Sequence, residues 1–205
     1  MIHQSCASPK LNNAILELLS ILFYMDHNIR NGMSSALATP HNYKEILMRE
    51  DDFIVSKTDY ESNITYVNQA FCTMSGYQED ELIGKSHDIV RNDLMPHGIY
   101  NLMWEHLRAE EEFFGYIVNR NKDDSYYWTL INVTPFYEEQ KLAGYFAVRR
   151  APSIEALKII KPLYQTMCEV ENKATEEQRL PLSSAVLWNA ITKEYQSYAE
   201  FVLSL

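Results

Sequence analysis

At the centre of the 205-residue chain lies the stretch Ile83–Arg120, which begins with the sequence IGKSHDIVRNDLMP at Ile83–Pro96. It places a glycine turn before a short polar segment that contains His87 and Arg91. A helical pattern follows from Ile99, and the stretch Phe113–Arg120, FFGYIVNR, is typical of a strand. A turn, a polar segment, a helix and a strand in this order can enclose a small molecule. We therefore expect this region to form one wall of a ligand pocket.

Strand patterns lie on both sides of this stretch. Runs of β-branched and aromatic residues, separated by polar turns, predict five strands, at Phe53–Thr58, Ile64–Val67, Phe113–Arg120, Tyr126–Pro135 and Leu142–Arg149. Short helices are expected between the second and third strands, with Asn68 as the cap of the first of them. Five antiparallel strands with helices grouped on one side give an α+β fold.

Helices are also predicted at the two ends of the chain. Apolar residues at helical spacing between Lys10 and Asn31 give an amphipathic helix whose buried face includes Leu18, Leu22 and Phe23. We expect this helix to cover the open face of the sheet, within the chain or across a dimer. A second short helix is predicted at Tyr43–Met48.

The C-terminal part is predicted to hold two helices joined by a charged connector. Ser153 can cap the first helix, which is expected to reach Met167 with a kink at Pro162. Residues 169–179 form the predicted connector, and the last helix is expected over residues 180–203.

Composition and charge exclude several classes of protein. The formal net charge of −10, with no strongly basic segment, argues against binding to nucleic acid or to an anionic membrane surface. The apolar run Ala14–Met25 is too short to cross a bilayer, which needs ~20 residues. Cys6, Cys72 and Cys168 are too far apart for a zinc motif. These observations predict a cytoplasmic protein with reduced thiols and no membrane insertion.

A set of short motifs lies between residues 50 and 150. They are ITYVNQAF from Ile64, SGY from Ser75, ELIG from Glu81, HDIVR from His87, VNRNK from Val118, YYW from Tyr126, NVTP from Asn132 and GY at Gly144. Together these motifs resemble a PAS sensor domain, and more narrowly one of the aerotaxis-receptor type. The domains expected from this resemblance are a helical cap at 1–49, a PAS sensor domain at 50–150 and a helical extension at 151–205.

The resemblance implies a function as well as a fold. Members of that branch hold FAD noncovalently, sense redox or energy state, and signal by contact with a partner such as a chemotaxis-type receptor. They are not enzymes, and the sequence contains no P-loop, nucleophile elbow or HExxH motif. The resemblance thus implies a cytoplasmic sensory and signal-transduction flavoprotein, expected as a homodimer.

The resemblance also assigns a cofactor site by position. Its expected residues are His87, Arg91, Asn92, Trp104, Phe113 and Asn119. An arginine can pair with a pyrophosphate, and an asparagine amide can both donate to and accept from the edge of a flavin ring. This chain departs from the family at two positions, since Asn92 stands where the family usually has histidine and Phe113 where it usually has tryptophan.

Other interpretations of the same residues remain open. His87 is equally consistent with a residue that orders its loop, Arg91 with an ion pair to Asp88 or Glu81, and Trp104 with core packing. A PAS interaction or dimerisation scaffold, with no cofactor or with a different ligand, is the alternative function. A haem sensor is a third hypothesis, with His87, His97 or His106 as the axial ligand.

Overall fold

The computed structural model describes residues 43–205. The predicted helix between Lys10 and Asn31, and its proposed position on the sheet, lie outside the described residues and stay predictions. No helix within residues 43–205 has the length and apolar character that crossing a membrane requires.

The described part is built on a five-stranded antiparallel sheet, as predicted. Its strands are β1 (Ile54–Asp59), β2 (Ile64–Val67), β3 (Phe113–Arg120), β4 (Tyr126–Glu138) and β5 (Lys141–Arg150). Their order across the sheet is β2-β1-β5-β4-β3. The first and last strands of the sequence thus pair at the centre, where Ser56 faces Ala147 in the register. This pairing brings inward-facing residues of β1 and β5 side by side.

Four short helices connect β2 to β3. They are α1 (Gln69–Ser75), α2 (Glu79–Leu82), a 3₁₀ turn (His87–Val90) and α3 (His97–Arg108). The predicted cap is confirmed, because the Asn68 side chain accepts a hydrogen bond from the backbone N–H of Phe71. Gly76 ends α1 with a φ of 75°, a left-handed conformation that favours glycine.

The segment after the 3₁₀ turn lies along the edge of β3. Arg91 forms an isolated antiparallel bridge with Asn119, and the sulfur of Met95 accepts a hydrogen bond from the backbone N–H of Val118 at 3.3 Å. These contacts protect the edge strand and fix the start of α3 against the sheet. The polar segment, the helix and the strand of the central stretch are therefore adjacent in the structure.

The C-terminal helices differ from the prediction. Helix α4 (Ile154–Lys173) continues through Pro162 and six residues past Met167, and α5 (Glu176–Ile191) begins inside the predicted connector. A third helix, α6 (Tyr198–Ser204), takes the place of the end of the predicted long helix. The charged composition of residues 169–179 suggested a solvated link, but Glu171 within it is buried and bonded to α3.

Two segments that flank the sheet in sequence are also bonded to it. The predicted helix at Tyr43–Met48 is absent, because Lys44 and Ile46 pair with the backbone of Tyr126 on β4. The Tyr164 hydroxyl of α4 donates to the Tyr116 carbonyl of β3 at 2.9 Å.

Candidate ligand-binding site

A cavity of about 270 Å³ lies between the sheet and α3. Inward-facing side chains of β1, β3, β4 and β5 form one wall, and α3 forms the opposite wall. Its apolar part is lined by Val90, Met103, Trp104, Leu107, Ile117, Ile131, Val133, Tyr145 and Ala147. The remaining lining residues are polar, and among them Ser56, His87 and Arg149 are hydrogen-bonded to one another.

Arg149 of β5 forms the polar end of the cavity. Its side chain is buried, with 3 % of its surface exposed. One terminal nitrogen donates to the Ser56 hydroxyl at 3.0 Å, and the other lies 2.9 Å from Nε2 of His87. Ser56 is brought there by the β1–β5 pairing, and His87 by the 3₁₀ turn that follows the glycine turn.

The contact with Arg149 fixes the state of His87. A guanidinium has only donors, so the Nε2 atom of His87 must present its lone pair and the ring proton must lie on Nδ1. Burial, together with the nearby Arg149 charge, lowers the pKa of His87 to about 3. His87 therefore holds Arg149 as a neutral acceptor and does not change charge near neutral pH.

Arg149 has no anionic partner among residues 43–205. No carboxylate of the described chain forms an ion pair with it. Its Nε is fully buried and has no hydrogen-bond partner there. Burial accordingly lowers the pKa of its guanidinium. The amide nitrogen of Asn119, which also lines the cavity, is likewise buried without a partner.

Arg91 lies at the mouth of the cavity and is partly exposed. Its guanidinium packs over the Tyr100 ring at 4.4 Å and lies 3.7 Å from a carboxylate oxygen of Asp88. Of its two candidate ion-pair partners, Glu81 is instead bonded to Lys122. Tyr100 lines the cavity beside Arg91, and burial raises the pKa of its hydroxyl to about 12.

The structure brings four of the six expected site residues to the cavity, namely His87, Arg91, Trp104 and Asn119. Trp104 makes an edge-to-face contact with Tyr145 on the sheet, with ring centroids 5.6 Å apart. It therefore both packs the interior and borders the cavity.

Asn92 and Phe113 lie elsewhere. The Asn92 side chain accepts a hydrogen bond from the backbone N–H of Leu94 and so shapes the turn before α3. Phe113 stacks on Tyr198 of α6, with centroids 5.8 Å apart and planes 20° apart. The ring face that we expected to meet a ligand is thus covered by a C-terminal helix, a contact between residues 85 positions apart in sequence.

Sequence reasoning missed the residues that make the cavity's polar end. The sequence pattern places Arg149 and Ser56 in strands and indicates no site role for them. One signal was available, because Tyr145, Ala147 and Arg149 alternate along β5 and so share one face of the sheet. An arginine on the same face as a buried alanine and tyrosine indicates a buried charge.

The histidines considered as haem ligands are not grouped. His97 is exposed at the start of α3, and Nδ1 of His106 bonds the Leu102 carbonyl. His87 lines the cavity, but its Nε2 accepts from Arg149. Within residues 43–205, no three His, Cys, Asp or Glu side chains are placed to hold a metal ion.

Comparison with known proteins agrees with the fold described above. The PAS fold family profile matches residues 42–150, more than half of the chain. The aerotaxis receptor of Escherichia coli is 34 % identical over 120 residues, which are 58 % of this chain and 24 % of the receptor. A nitrogen fixation regulatory protein of Klebsiella pneumoniae is 28 % identical over 138 residues, which are 66 % of this chain and 28 % of that protein.

These curated relatives are longer proteins, and the chain spans about a quarter of their length. Among solved structures, the LOV domain of a blue-light activated histidine kinase from Erythrobacter litoralis is 22 % identical, with a TM-score of 0.44. That alignment covers 48 % of this chain and 94 % of the LOV domain. The family match, the strand order and the helices between β2 and β3 together lead to one conclusion: the chain belongs to the PAS fold family, and residues 42–150 form a PAS sensory domain.

Proposed function

We propose that the PAS domain holds a flavin in the cavity between the sheet and α3, and that the chain reports the redox state of this flavin through protein–protein contact. The observation that carries the proposal is the shape and polarity of the cavity. Its walls are mostly apolar, while Arg149 and Asn119 each present an unpaired donor among the lining residues. A planar ring with one polar, acceptor-rich edge matches this arrangement.

The size of the cavity decides which part of a flavin cofactor it suits. About 270 Å³ is close to the lower limit of ~300 Å³ for small-molecule sites. The ring system suits this volume, whereas the rest of FAD would extend through the mouth, past Arg91 and the exposed Ser86. A bound flavin supplies reversible electron transfer, and the chain supplies orientation, desolvation and charge.

The named relatives support a sensory role. One is an aerotaxis receptor and another a nitrogen fixation regulatory protein. For this chain we propose a signalling partner of the receptor type, contacted through the C-terminal helices or across a homodimer, with no catalytic step of its own. The second candidate function is a cofactor-free interaction scaffold. It is favoured by Phe113, whose ring face is covered by Tyr198.

The test compares two asparagines on opposite faces of the sheet. Asn119→Ala removes the unpaired amide in the cavity, whereas Asn132→Ala removes an amide that bonds Glu112 on the other face. We expect the Asn119 variant to bind FAD at least about 10-fold more weakly, the size of one lost hydrogen bond in a buried site. The Asn132 variant should bind FAD like the wild type. Equal affinity in all three proteins would place the flavin elsewhere, and no affinity in the wild type would favour the scaffold.

A further inference from the structure

The guanidinium of Arg149 is a buried cation whose donors are only partly used. Of the five N–H groups of an arginine, one is donated to Ser56 and one to His87. Three N–H groups therefore remain without a partner in the described chain, including the one on the fully buried Nε. A buried charge is normally paired, because removing it from water without compensation costs several kcal/mol.

The neighbours of Arg149 hold it without neutralising it. Ser56 and His87 accept hydrogen bonds, but both are uncharged. The centroid of the Phe71 ring lies 5.6 Å from the guanidinium carbon, so Phe71 adds an aromatic face and no formal charge. The acidic residues that border the cavity, Glu61 and Asp88, are exposed at the mouth. The inner end of the cavity is therefore positive, and its mouth carries these two carboxylates together with the guanidinium of Arg91.

We propose that Arg149, positioned by Ser56 and His87, forms a subsite for a planar anionic group of the ligand. The rigid fork of a guanidinium matches a group that presents two acceptor atoms in one plane. Two sources supply such a group, namely a small carboxylate or the edge of a ring that becomes negatively charged. The second source rests on the proposed function, because a flavin ring is the ring in question.

The carboxylate arm of the test needs no flavin. Full-length wild-type protein is titrated with benzoate and with benzamide, which have the same shape and differ in charge. Benzoate is expected to bind at least about 10-fold more tightly, since charge-assisted hydrogen bonds exceed neutral ones by roughly that factor. This comparison uses the wild type alone, so it does not depend on whether any variant folds.

The flavin arm measures the reduction potential of bound FAD. Dithionite supplies two electrons and water supplies one proton, which leaves one net negative charge on the ring. A cation at the subsite stabilises that charge, so Arg149→Met is expected to lower the potential. Arg150→Met is the matched control, because Arg150 is the next residue, is exposed and lies over Phe53 on the other face.

Stability separates a binding role from a structural one. If Arg149 serves the ligand, Arg149→Met should leave the melting temperature of the ligand-free protein unchanged or raise it, since it removes an unpaired buried charge. A large fall in that temperature would mean that the arginine is structural and would overturn the proposal.

The two arms also distinguish the subsite from the proposed function. Preference for benzoate in a protein that binds no FAD would support the subsite and reject the flavin. FAD bound with the same potential in wild type and Arg149→Met, together with equal affinity for benzoate and benzamide, would reject the subsite and leave the flavin in place.

Discussion

The carboxylate of Glu171 caps the first turn of α3 by bonding the backbone of Gly98. One oxygen accepts from the Gly98 N–H at 2.9 Å, and the other accepts from the His97 N–H at the same distance. A negative charge at a helix N-terminus is stabilised by the helix dipole and by the unpaired N–H groups there. Glu171 belongs to α4, so this contact joins a C-terminal helix to the helix that lines the cavity.

Close packing reinforces the same contact. Gly98 faces Ser183 of α5, and a β-carbon at position 98 would collide with the Ser183 side chain. Helix α3 carries Tyr100, Met103, Trp104 and Leu107 into the cavity. A ligand that displaces α3 therefore acts directly on α4 and α5.

The first prediction concerns this cap. Glu171→Gln keeps the shape of the side chain but removes its charge and turns one acceptor into a donor facing an N–H group. We expect the free energy of unfolding to fall by about 1–3 kcal/mol, the size of a lost hydrogen bond to a charged group. Urea denaturation of the full chain measures this change in the free energy of unfolding. Glu194→Gln, at an exposed position after α5, is the control and should change stability little. An equal effect of both substitutions would contradict the role assigned to Glu171.

A second prediction concerns pH. The pKa of His87 is lowered to about 3 in the folded protein, against 6.5 for an ordinary histidine. The unfolded chain therefore binds a proton below pH 6.5 that the folded chain does not bind. Above pH 6.5 the two states bind equally, and below it stability falls toward about 1.4 kcal/mol per pH unit from this group.

The measurement is the free energy of unfolding of wild type and His87→Gln between about pH 7.5 and about pH 4. This range begins about one unit above the ordinary histidine pKa and ends about one unit above the lowered pKa of His87. The difference between the two proteins should shrink as the pH falls, because only the wild type loses stability through this group. A difference that is constant over the range would mean that His87 takes up a proton in the folded state, and the hydrogen bond from Arg149 would then have to be wrong.

The third prediction follows the path from the cavity to the C-terminal helices. β5 runs from Arg149 almost directly into α4, and Glu171 gives a second connection through α3. Hydrogen exchange of the FAD-loaded protein, oxidised and then reduced, should differ within residues 154–204. A shift of a few kcal/mol in a two-state element is sufficient for such a change. Glu171→Gln should diminish the difference. Identical protection in the two redox states would leave the helices as a static support.

Much of the fold followed from local sequence patterns. Runs of β-branched and aromatic residues predicted all five strands, and the capping roles of Asn68 and Ser153 are confirmed by their side-chain hydrogen bonds. These features depend on neighbours a few residues apart, which a sequence displays directly. The predicted helix ends after residue 167 were wrong, because Glu171 is buried and bonds Gly98, which lies 73 positions away in sequence.

The site was predicted less completely for the same reason. His87, Arg91 and Asn119 lie in or near the central stretch and do line the cavity. Arg149 reaches His87 only because β5 pairs with β1 at the centre of the sheet. Phe113 does not line the cavity, because Tyr198, in a helix outside the PAS motifs, stacks on its ring. Long-range pairing and docking of the C-terminal helices decided both outcomes.

The most direct test of the account is the absorption spectrum of the purified full-length protein, recorded before and after denaturation. We predict the two visible and near-ultraviolet bands of a flavin, with release of FAD into the filtrate when the protein unfolds. The same preparation of Asn119→Ala should be depleted of these bands, and that of Asn132→Ala should retain them. A Soret band would indicate haem, and a featureless visible spectrum that stays so after incubation with FAD would contradict the flavin sensor.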